Sequence, residues 1–530
     1  MADPAQRLYT AAQVRRLDAA VIEGSLAPPA VPGIELMERA GRAAFETAAR
    51  AWPDARRWLV FCGAGNNGGD GYIVARLARE AGREVTLCAL KEPATLGGDA
   101  ATAARRWREA GGQAATWPLS GIEDYDLVCD ALLGTGLDRE PAGAYGEVIE
   151  AVNRAGRPVL AVDIPSGLQA DTGVAPGRAV RADLTVTFIG NKRGLFTADG
   201  PDCAGAVHFA DLQTLDAVRD SITDSGILIQ EEIIAKNLPR RARNTHKGSF
   251  GWLLGVGSDL GMSGAVRLCG EAALRSGAGK VTLVTRPEHA GLINMACPEL
   301  MVRGMDSGAA LTDLMERVDA VVAGTGLGRS GWSRELFSAC LASPAPLVLD
   351  ADGLNLLAEL GPALPKSGPP GPGLPESGLP RGRWILTPHP AEAGRLLGRS
   401  AAAVQGDRVA AAQELAQRFD AVVVLKGCGT VVAAADGRYA ICPLGNPGMA
   451  TAGTGDVLSG VIGGILAQRL AQGVAQGLDC WDAATTGVVA HALAGDLAAA
   501  DIGERGLLAS DITHRLPAVL NPAVRNPVRS

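Results

Sequence analysis

The start of the chain carries apolar residues at helical spacing. Thr10 and Gln13 fit a capping box, and the apolar positions that follow recur every three or four residues. This pattern predicts an amphipathic helix after Thr10 and a second helix through Leu36 to Phe45.

From Trp58 onward, short continuous apolar runs alternate with segments of helical periodicity. In the first half, the runs predict strands at Trp58–Cys62, Val85–Leu90, Tyr125–Leu133, Pro158–Ile164 and Leu184–Ile189. The intervening segments predict helices at Tyr72–Ala81, Asp99–Ala110 and Ala144–Arg154. Continuous apolar strands separated by helices indicate a parallel sheet that is covered on both faces. The first half is therefore predicted to be a Rossmann-like, three-layer α/β/α domain.

The pattern becomes charged and irregular between Asp211 and Asn237, and a new strand begins at Gly251. We predict two domains, 1–220 and 221–530. Further strands are predicted at Lys280–Thr285, Asp319–Ala323, Pro346–Asp350, Trp384–Thr387 and Ala421–Leu425, and a helix at Ser263–Gly277. The second domain therefore repeats the α/β pattern. Residues 361–383 are dense in Pro, Gly and Ser, which predicts a flexible surface insertion.

Composition narrows the classes of function. At ~100–200 residues per domain, a chain of 530 residues is too long for one core. The net charge is −7 and the chain has no dominant basic block, so we do not expect nucleic acid to be the main partner. No apolar run approaches the ~18 residues that cross a bilayer, and Met1 to Asp18 has no signal-peptide core. Ten cysteines without a C-x-x-C pair indicate reduced core thiols. We expect a soluble cytoplasmic homo-oligomer that binds neither nucleic acid nor a membrane.

Glycines and polar residues follow the first predicted strand. The run Gly63 to Gly71 contains a G-x-G-x-x-G spacing, but Asp70 within it would repel a phosphate, so an ordinary dinucleotide cofactor site is not favoured. Asp130 and Asp163 end two further strands, and three acids at one sheet edge would repel one another without a cation or a shared proton. Each turn alone could be a plain strand-to-helix connection, whereas three on one edge favour a site.

Three strings carry a specific resemblance: GAGNNGGDGYIVARLA, DALLGTGL and VDIPSGLQADTG. Over about Leu8 to Leu212 the chain resembles the epimerase domain of the NAD(P)H-hydrate repair family. The resemblance implies that Asp163 contacts the hydrate and is the acid/base residue. It implies potassium binding by Asn67, Asp130 and Ser166, whose oxygens suit a hard cation better than zinc. It further implies hydrate binding by Asn66, Asn67, Gly68, Gly69, Asp70, Gly134, Thr135, Gly136, Leu137, Asp138, Arg139 and Glu140.

The second half has its own glycine-rich turn, NPGMATAGTGD, before an apolar helix. Backbone amides at a helix N-terminus form an anion hole, and Asp456 there can take a proton from an attacking hydroxyl. The chain contains no P-loop motif, and the arrangement resembles the ribokinase superfamily. Lys426 to Thr430 follow a strand, where their backbone could hold a phosphate or form a plain hairpin turn. His389, between two prolines, is either structural or part of a pocket wall.

Together HKGSFG, GAVRLCGEAALRSGAG, GTGLG, LTPHPAE, VLKGCGT and NPGMATAGTGDVLSG resemble the ADP-dependent NAD(P)H-hydrate dehydratase over about Ile227 to Leu520. The resemblance implies a ribokinase-like domain in which Asp456 activates the hydrate's hydroxyl toward ADP. The phosphorylated intermediate then loses phosphate, which leaves AMP and NAD(P)H. Mg²⁺ is a plausible second cation, and ATP could replace ADP. The implied hydrate contacts are Ala265, Gly326, His389 and Asp456. The implied nucleotide contacts are Lys426, Gly427, Cys428, Gly429, Thr430 and Gly455.

Two other classes of protein remain open. A ribokinase-type kinase would transfer the γ-phosphate of ATP to a small vitamin-like alcohol and would not act on the hydrate. A non-catalytic binding module would lack working acids at its strand ends, and the presence of Asp163 and Asp456 argues against it.

Overall fold

The computed structural model describes residues 3–26, 29–223, 226–361, 382–472 and 479–521. The chain folds as two compact units, Met1–Leu228 and Ile229–Ser530. The division falls after Leu228 rather than after residue 220, because the strand Gly226–Leu228 pairs antiparallel with the strand Arg7–Tyr9 of the first unit. Of the predicted insertion 361–383, residues 362–381 lie outside the described residues.

The first unit is built on a parallel sheet, as the pattern predicts. Its strands are β1 (Arg7–Tyr9), β2 (Arg57–Cys62), β3 (Glu84–Ala89), β4 (Ala114–Ala115), β5 (Leu127–Ala131), β6 (Val159–Val162), β7 (Leu184–Phe188), β8 (Asn191–Lys192), β9 (Ala206–Ala210) and β10 (Gly226–Leu228). The parallel sheet has the order β4-β3-β2-β5-β6-β7-β9 within the described chain. The short strand β1 pairs antiparallel with β10 and parallel with β8.

Helices cover both faces of this sheet. They are α1 (Ala11–Glu23), α2 (Gly33–Ala51), α3 (Asn66–Glu80), α4 (Gly98–Glu109), α5 (Ala144–Ala155), α6 (Gly200–Ala204) and α7 (Asp216–Asp220). Strand β2 shows the alternation: Trp58 and Val60 pack into a cluster with α2, α3 and α4, whereas Leu59 and Phe61 pack into a second cluster with α5. All four side chains are fully buried. Both faces of β2 are therefore core, which explains its continuous apolar run.

Two helix starts test the predicted boundaries. The capping box of Thr10 and Gln13 is present at the start of α1, as predicted. Helix α3, predicted from Tyr72, begins at Asn66 instead. The glycine-rich segment is itself helical, since the Gly69 N–H donates to the Gly65 carbonyl at 3.1 Å. The first turn of α3, with its unpaired backbone donors, therefore lies directly at the end of β2.

The second unit also has a sheet that begins as a parallel one. Its strands are β11 (Trp252–Val256), β12 (Lys280–Thr285), β13 (Met301–Gly304), β14 (Ala320–Ala323), β15 (Leu347–Leu349), β16 (Trp384–Leu386), β17 (Val422–Leu425), β18 (Thr430–Ala433) and β19 (Tyr439–Cys442). The order is β13-β12-β11-β14-β15-β16-β17-β18-β19. Pairing is parallel as far as β17, and β17, β18 and β19 are antiparallel neighbours. The two antiparallel strands were not predicted from the sequence.

The helices of the second unit surround one buried helix. They are α8 (Glu232–Asn237), α9 (Ser263–Arg275), α10 (Pro287–Ile293), α11 (Thr312–Met315), α12 (Gly331–Leu341), α13 (Ala351–Glu359), α14 (Pro390–Leu397), α15 (Ala401–Gly406), α16 (Arg408–Phe419), α17 (Thr454–Ala471), α18 (Asp479–Ile502) and α19 (Ala509–Leu520). Every residue from Val457 to Arg469 of α17 is buried. Glycine permits this packing: a Cβ on Gly460 would lie 2.1 Å from the carbonyl oxygen of Cys269. Among the described residues, no helix is long and apolar enough to cross a membrane.

Candidate functional site

The first unit contains a cavity of about 860 Å³ at the carboxyl ends of β2, β5, β6 and β7. This is the usual ligand position in an open α/β sheet. The cavity brings together most residues predicted for the first site: Asn66, Asn67, Asp70, Asp163 and the whole loop Gly134–Glu140. It is also lined by residues that no motif marked, among them Asp18 of α1 and Lys192 of β8.

Asp163 lies directly after β6 and forms an ion pair with Lys192. The Lys192 side chain is 1% exposed, and its ammonium group also donates to the Thr187 hydroxyl and the Phe188 carbonyl oxygen at 3.1 Å each. Asp163 has a φ of 66°, which is rare for a residue with a side chain and marks a strained turn. The pairing therefore holds a charged carboxylate at the cavity wall. Lys192 was missed because it lies outside the quoted motifs, on a two-residue strand.

Two further carboxyl groups in this cavity have raised pKa values. Burial, followed by the charges of Asp163 and Asp18, raises the pKa of Asp70 well above its ordinary value, and Lys192 only partly opposes this. Burial also raises the pKa of Asp18 to about 6 against the lowering effect of Lys192. One cavity thus combines an ion-paired carboxylate with a carboxyl group that releases its proton less readily, the arrangement that acid/base catalysis uses.

The three residues predicted to bind potassium meet around the backbone of Leu133. Asn67 donates from Nδ2 to the Leu133 carbonyl at 2.8 Å, and the Leu133 N–H donates to the Ser166 hydroxyl at 2.8 Å. Ser166 donates to Asp130 from its hydroxyl at 2.6 Å and from its backbone N–H at 2.7 Å. Asn67 Oδ1 is buried and finds no hydrogen-bond donor within the described chain. Burial raises the pKa of Asp130 to about 6 against the bonds from Ser166.

Gly68 and Gly69 were predicted to touch the hydrate, but neither lines the cavity. A Cβ on Gly68 would lie 2.2 Å from the Gly63 carbonyl oxygen, and one on Gly69 would lie 2.6 Å from the Met37 sulfur. Both glycines are therefore needed because the first turn of α3 packs closely against its surroundings.

The second unit contains a cavity of about 390 Å³ around the N-terminus of α17. It brings together five of the residues predicted for the second site: His389, Lys426, Gly427, Gly455 and Asp456. The other five predicted residues, Ala265, Gly326, Cys428, Gly429 and Thr430, do not line it. A Cβ on Gly326 would lie 2.8 Å from the Ala265 Cβ, so these two residues adjoin each other. Cys428 is exposed.

Asp456 lies in the first turn of α17, beyond Gly453, whose φ of 91° turns the chain into the helix. Burial, then the charge of Asp350, raises the pKa of Asp456 to about 7, although Lys426 opposes the shift. A carboxyl group with this pKa can accept and release a proton near neutral pH. The backbone amides of the same turn point where an anion would bind.

Residues 426–429 connect β17 to β18 as a hairpin turn, and Lys426 and Gly427 of this turn also line the cavity. His389 likewise has both roles, because it lines the cavity and caps α14. Its Nδ1 accepts from the Ala391 N–H at 3.1 Å, and Glu392 accepts from the His389 N–H at 2.8 Å. Each of these two segments therefore has a structural role and also lines the cavity.

The cavity also contains two acids that sequence reasoning passed over, Asp350 and Glu392. Glu392 is buried, and burial raises its pKa while Lys426 lowers it and Asp350 raises it. Asp350 was recognised only as the end of a predicted strand. Its position after a strand, the same position as Asp163, was the available signal.

Comparisons with known proteins match both units. A family profile described as YjeF-related protein N-terminus matches residues 33–194, and one described as NAD(P)H-hydrate dehydratase matches residues 253–518. The "Bifunctional NAD(P)H-hydrate repair enzyme Nnr" of Coxiella burnetii is 42% identical over 97% of this chain and 99% of its own length. The protein of the same name from Escherichia coli is 44% identical over 92% of this chain and 90% of its own.

One solved structure is also similar to part of the chain. The ADP/ATP-dependent NAD(P)H-hydrate dehydratase from Bacillus subtilis, co-crystallised with ATP and Mg²⁺, is 29% identical and covers 55% of this chain and 97% of its own, with a TM-score of 0.45. Neither the vitamin-type kinase nor the binding module is favoured by these matches. The chain belongs to the family of bifunctional NAD(P)H-hydrate repair enzymes, with an epimerase domain followed by a dehydratase domain.

Proposed function

We propose that the first unit interconverts the R and S epimers of NAD(P)H hydrate and that the second unit dehydrates the S epimer with ADP, giving NAD(P)H, AMP and phosphate. One observation supports both halves. Each unit has a cavity at its strand ends that combines an aspartate–lysine ion pair with a carboxyl group of raised pKa. Such pairs of unlike carboxyl groups are a general arrangement for moving protons.

In the epimerase cavity, the roles follow from the charge states. Asp70, with its raised pKa, donates a proton to the hydroxyl of the hydrate, which leaves as water. Water then adds to the opposite face of the same carbon while Asp163, positioned by Lys192, accepts a proton from it. The proton lost by Asp70 is balanced by the one gained by Asp163. We assign binding of the rest of the hydrate to Asn66 and the loop Gly134–Glu140, which line the same cavity.

We propose that Asn67, Asp130 and Ser166 hold K⁺ together with the Leu133 carbonyl. The buried Asn67 Oδ1, which has no donor among the described residues, supports this assignment because a cation would satisfy it. Asp130 is fully buried, and a bound cation would offset the cost of its charge. K⁺ would supply positive charge beside Asp130 and stabilise the start of the Gly134–Glu140 loop.

In the dehydratase cavity, we assign Asp456 as the base that takes the proton from the hydroxyl of the hydrate. The hydroxyl oxygen attacks the terminal phosphorus of ADP, and AMP leaves. The new phosphate ester then loses phosphate and a proton from the neighbouring carbon, which restores the ring double bond. Lys426 and the backbone amides around Gly455 face the charge that develops on the phosphoryl oxygens. His389, Ala265 and Gly326 are assigned to the hydrate, and Lys426 to Thr430 to the nucleotide.

Mg²⁺ has no ready protein site here. Among the described residues, no group of three or more His, Cys, Asp or Glu side chains is placed to hold a metal ion. Within the cavity, Asp350 is bonded to Lys426 and Glu392 to His389. We therefore derive no catalytic step from Mg²⁺. We further propose that the chain works in the cytoplasm, consistent with the burial of nine of its ten cysteines, and as a homo-oligomer.

The test is to incubate the protein with a mixture of hydrate epimers and ADP while following the absorbance of the reduced nicotinamide. The proposal predicts recovery of both epimers, with one AMP and one phosphate formed per NAD(P)H. Recovery of the S epimer alone would remove the epimerase assignment. No recovery with either ADP or ATP would remove the dehydratase assignment, and a parallel reaction with ATP measures which nucleotide is preferred.

A further inference from the structure

Asp350 is a buried carboxylate at the second cavity, and its hydrogen bonds are unusual for its position. It follows β15 and is the N-cap residue of α13, yet in the described structure its side chain makes no capping bond to that helix. Instead, Oδ1 accepts from Lys426 Nζ at 2.7 Å and Oδ2 accepts from the Ser459 hydroxyl at 2.7 Å. The side chain is 2% exposed. Asp350 therefore serves two residues of other elements rather than its own helix.

One of these partners belongs to the proposed phosphoryl-transfer site, and the other lies on the helix that carries Asp456. Lys426 is at the end of β17 and lines the cavity. Ser459 is three residues after Asp456 on α17, so the two side chains share one face of that helix. A single carboxylate thus ties the end of β17 to the helix that carries the proposed base.

The position of the lysine is fixed relative to the glycine turn. A Cβ on Gly455 would lie 3.2 Å from Lys426 Nζ and 3.6 Å from Asp350 Oδ2. The ammonium group and the carboxylate therefore both lie beside the backbone of Gly455, where the amides of α17 begin. A Cβ at this position would press on the ammonium group and contact the carboxylate.

We propose that Asp350 is a positioning residue for phosphoryl transfer: by bonding Lys426 and Ser459 together, it holds the lysine ammonium beside the Gly455 turn and places a negative charge next to Asp456. This inference rests on the proposed role of the second unit. Loss of Asp350 should therefore change both the rate of dehydration and its dependence on pH.

The direction of the pH effect follows from the charges that face Asp456. Burial is the largest cause of the raised pKa of Asp456. The charge of Asp350 raises this pKa further, Lys426 lowers it, and Asp352 raises it by the smallest amount. Glu392 of α14 is a further acid in this cluster, and its own pKa is affected by the charges of Lys426 and Asp350. From α9 and α18, Cys269 and His491 are neutral at pH 7, because burial raises the pKa of the thiol well above its ordinary value and lowers that of the imidazole to about 4.

A neutral residue at position 350 would remove one negative charge that acts on Asp456. Dehydration needs the ionised form of Asp456, so activity rises as pH rises through its pKa. Without the Asp350 charge, Asp456 ionises more easily, and the acidic limb of the profile moves to lower pH. A neighbouring like charge shifts a pKa by roughly 1 unit.

The test uses the full chain with the S epimer at saturating ADP and measures kcat and kcat/KM against pH. Asp350→Asn should lower kcat by up to about 100-fold, since an amide oxygen holds the Lys426 ammonium more weakly than a carboxylate does. It should also move the acidic limb of kcat/KM down by roughly 1 unit. Ser459→Ala is the matched geometric control, because it removes one bond and no charge, and should lower kcat without moving the limb. Asp352→Asn is the matched charge control and should shift the limb less.

Each outcome is decisive. An Asp350→Asn profile with an unshifted limb, or a shift no larger than that of Asp352→Asn, would overturn the inference. If Asp350→Asn does not fold, as judged by the loss of a cooperative thermal unfolding transition of the second unit, Lys426→Met supplies the opposite change of charge. It must move the limb to higher pH, and an unmoved limb would again overturn the inference. Failure of the unaltered chain to dehydrate the hydrate would instead contradict the proposed function.

Discussion

The two cavities share one arrangement and use it differently. Each has an aspartate paired with a lysine at the end of a parallel strand, Asp163 with Lys192 in the first unit and Asp350 with Lys426 in the second. The Asp163 side chain is 17% exposed to its cavity, whereas that of Asp350 is 2% exposed and is also bonded to a serine. In the first unit the paired carboxylate can reach a substrate, and in the second it can only position its neighbours.

This difference shows which acid of a cluster should be assigned to the chemistry. A lysine partner alone does not assign the chemistry, which belongs to the acid whose side chain is exposed to the cavity. In the second unit that acid is Asp456, with its pKa raised to about 7. Epimerisation needs an acid and a base in one cavity, while phosphoryl transfer needs one base and a fixed cation.

The largest expected effect is on the acid that faces the second cavity. Asp456→Asn removes the proposed base and should lower the rate of dehydration by about 100- to 10,000-fold. Epimer exchange should be unchanged, because Asp456 belongs to the other unit. The two rates are measured separately, dehydration by absorbance and exchange by chromatography of the epimers. Loss of both activities in a folded chain would contradict independent sites.

The second prediction is that the rates of dehydration and of epimer exchange depend on pH in opposite directions. Asp456 must be ionised, so dehydration should rise as pH rises through about 7. Asp70 must be protonated, and burial raises its pKa well above the ordinary value, so exchange should fall as pH rises through that raised pKa, in the opposite direction to dehydration. Both rates should be followed on one sample across neutral pH. Parallel profiles for the two activities would show that the assigned charge states are wrong.

A smaller effect tests the cation assigned to the first unit. K⁺ should raise the melting temperature of the epimerase unit by about 2 °C or more relative to choline chloride at the same ionic strength. Asn67→Ala removes the buried carbonyl oxygen and should abolish this response. The neighbouring Asn66→Ala is the control, because Asn66 is exposed, and should keep it. An unchanged response in Asn67→Ala would remove Asn67 from the potassium site.

The smallest effect concerns the turn between β17 and β18. Cys428 is exposed and does not line the cavity, so Cys428→Ser should change KM for ADP by no more than about threefold. Gly427→Ala should be worse, because Gly427 has a φ of 136° and a Cβ there would lie 3.0 Å from the Arg408 guanidinium. If the cysteine variant had the larger effect, its side chain would contact the nucleotide.

Much of this architecture could be predicted from the order of polar and apolar residues. The buried strands are continuous apolar runs, and Asp163 and Asp456 lie in recognisable glycine-rich strings. Lys192 and Asp350 could not be assigned in this way, because their roles depend on partners that are distant in sequence. Strand β7 separates Lys192 from Asp163 along the chain. Asp350 contacts Lys426 and Ser459 only because β15, β17 and α17 pack together.

The exact starts of elements also depended on packing. Helix α3 includes the glycines that looked like a loop, because those glycines let its first turn approach the backbone of Gly63 and the side chain of Met37. The short strands β1, β8 and β10 have too few residues to show a period. They became visible only through their pairing.

The most direct test of the account mixes two defective chains. Asp163→Asn alone should recover only the S epimer from a mixture with ADP, and Asp456→Asn alone should recover neither epimer while still exchanging them. Combined in one tube, the two variants should restore recovery of both epimers, since each supplies the site that the other lacks. Failure of the mixture, with each variant folded and keeping its remaining activity, would contradict two independently acting sites.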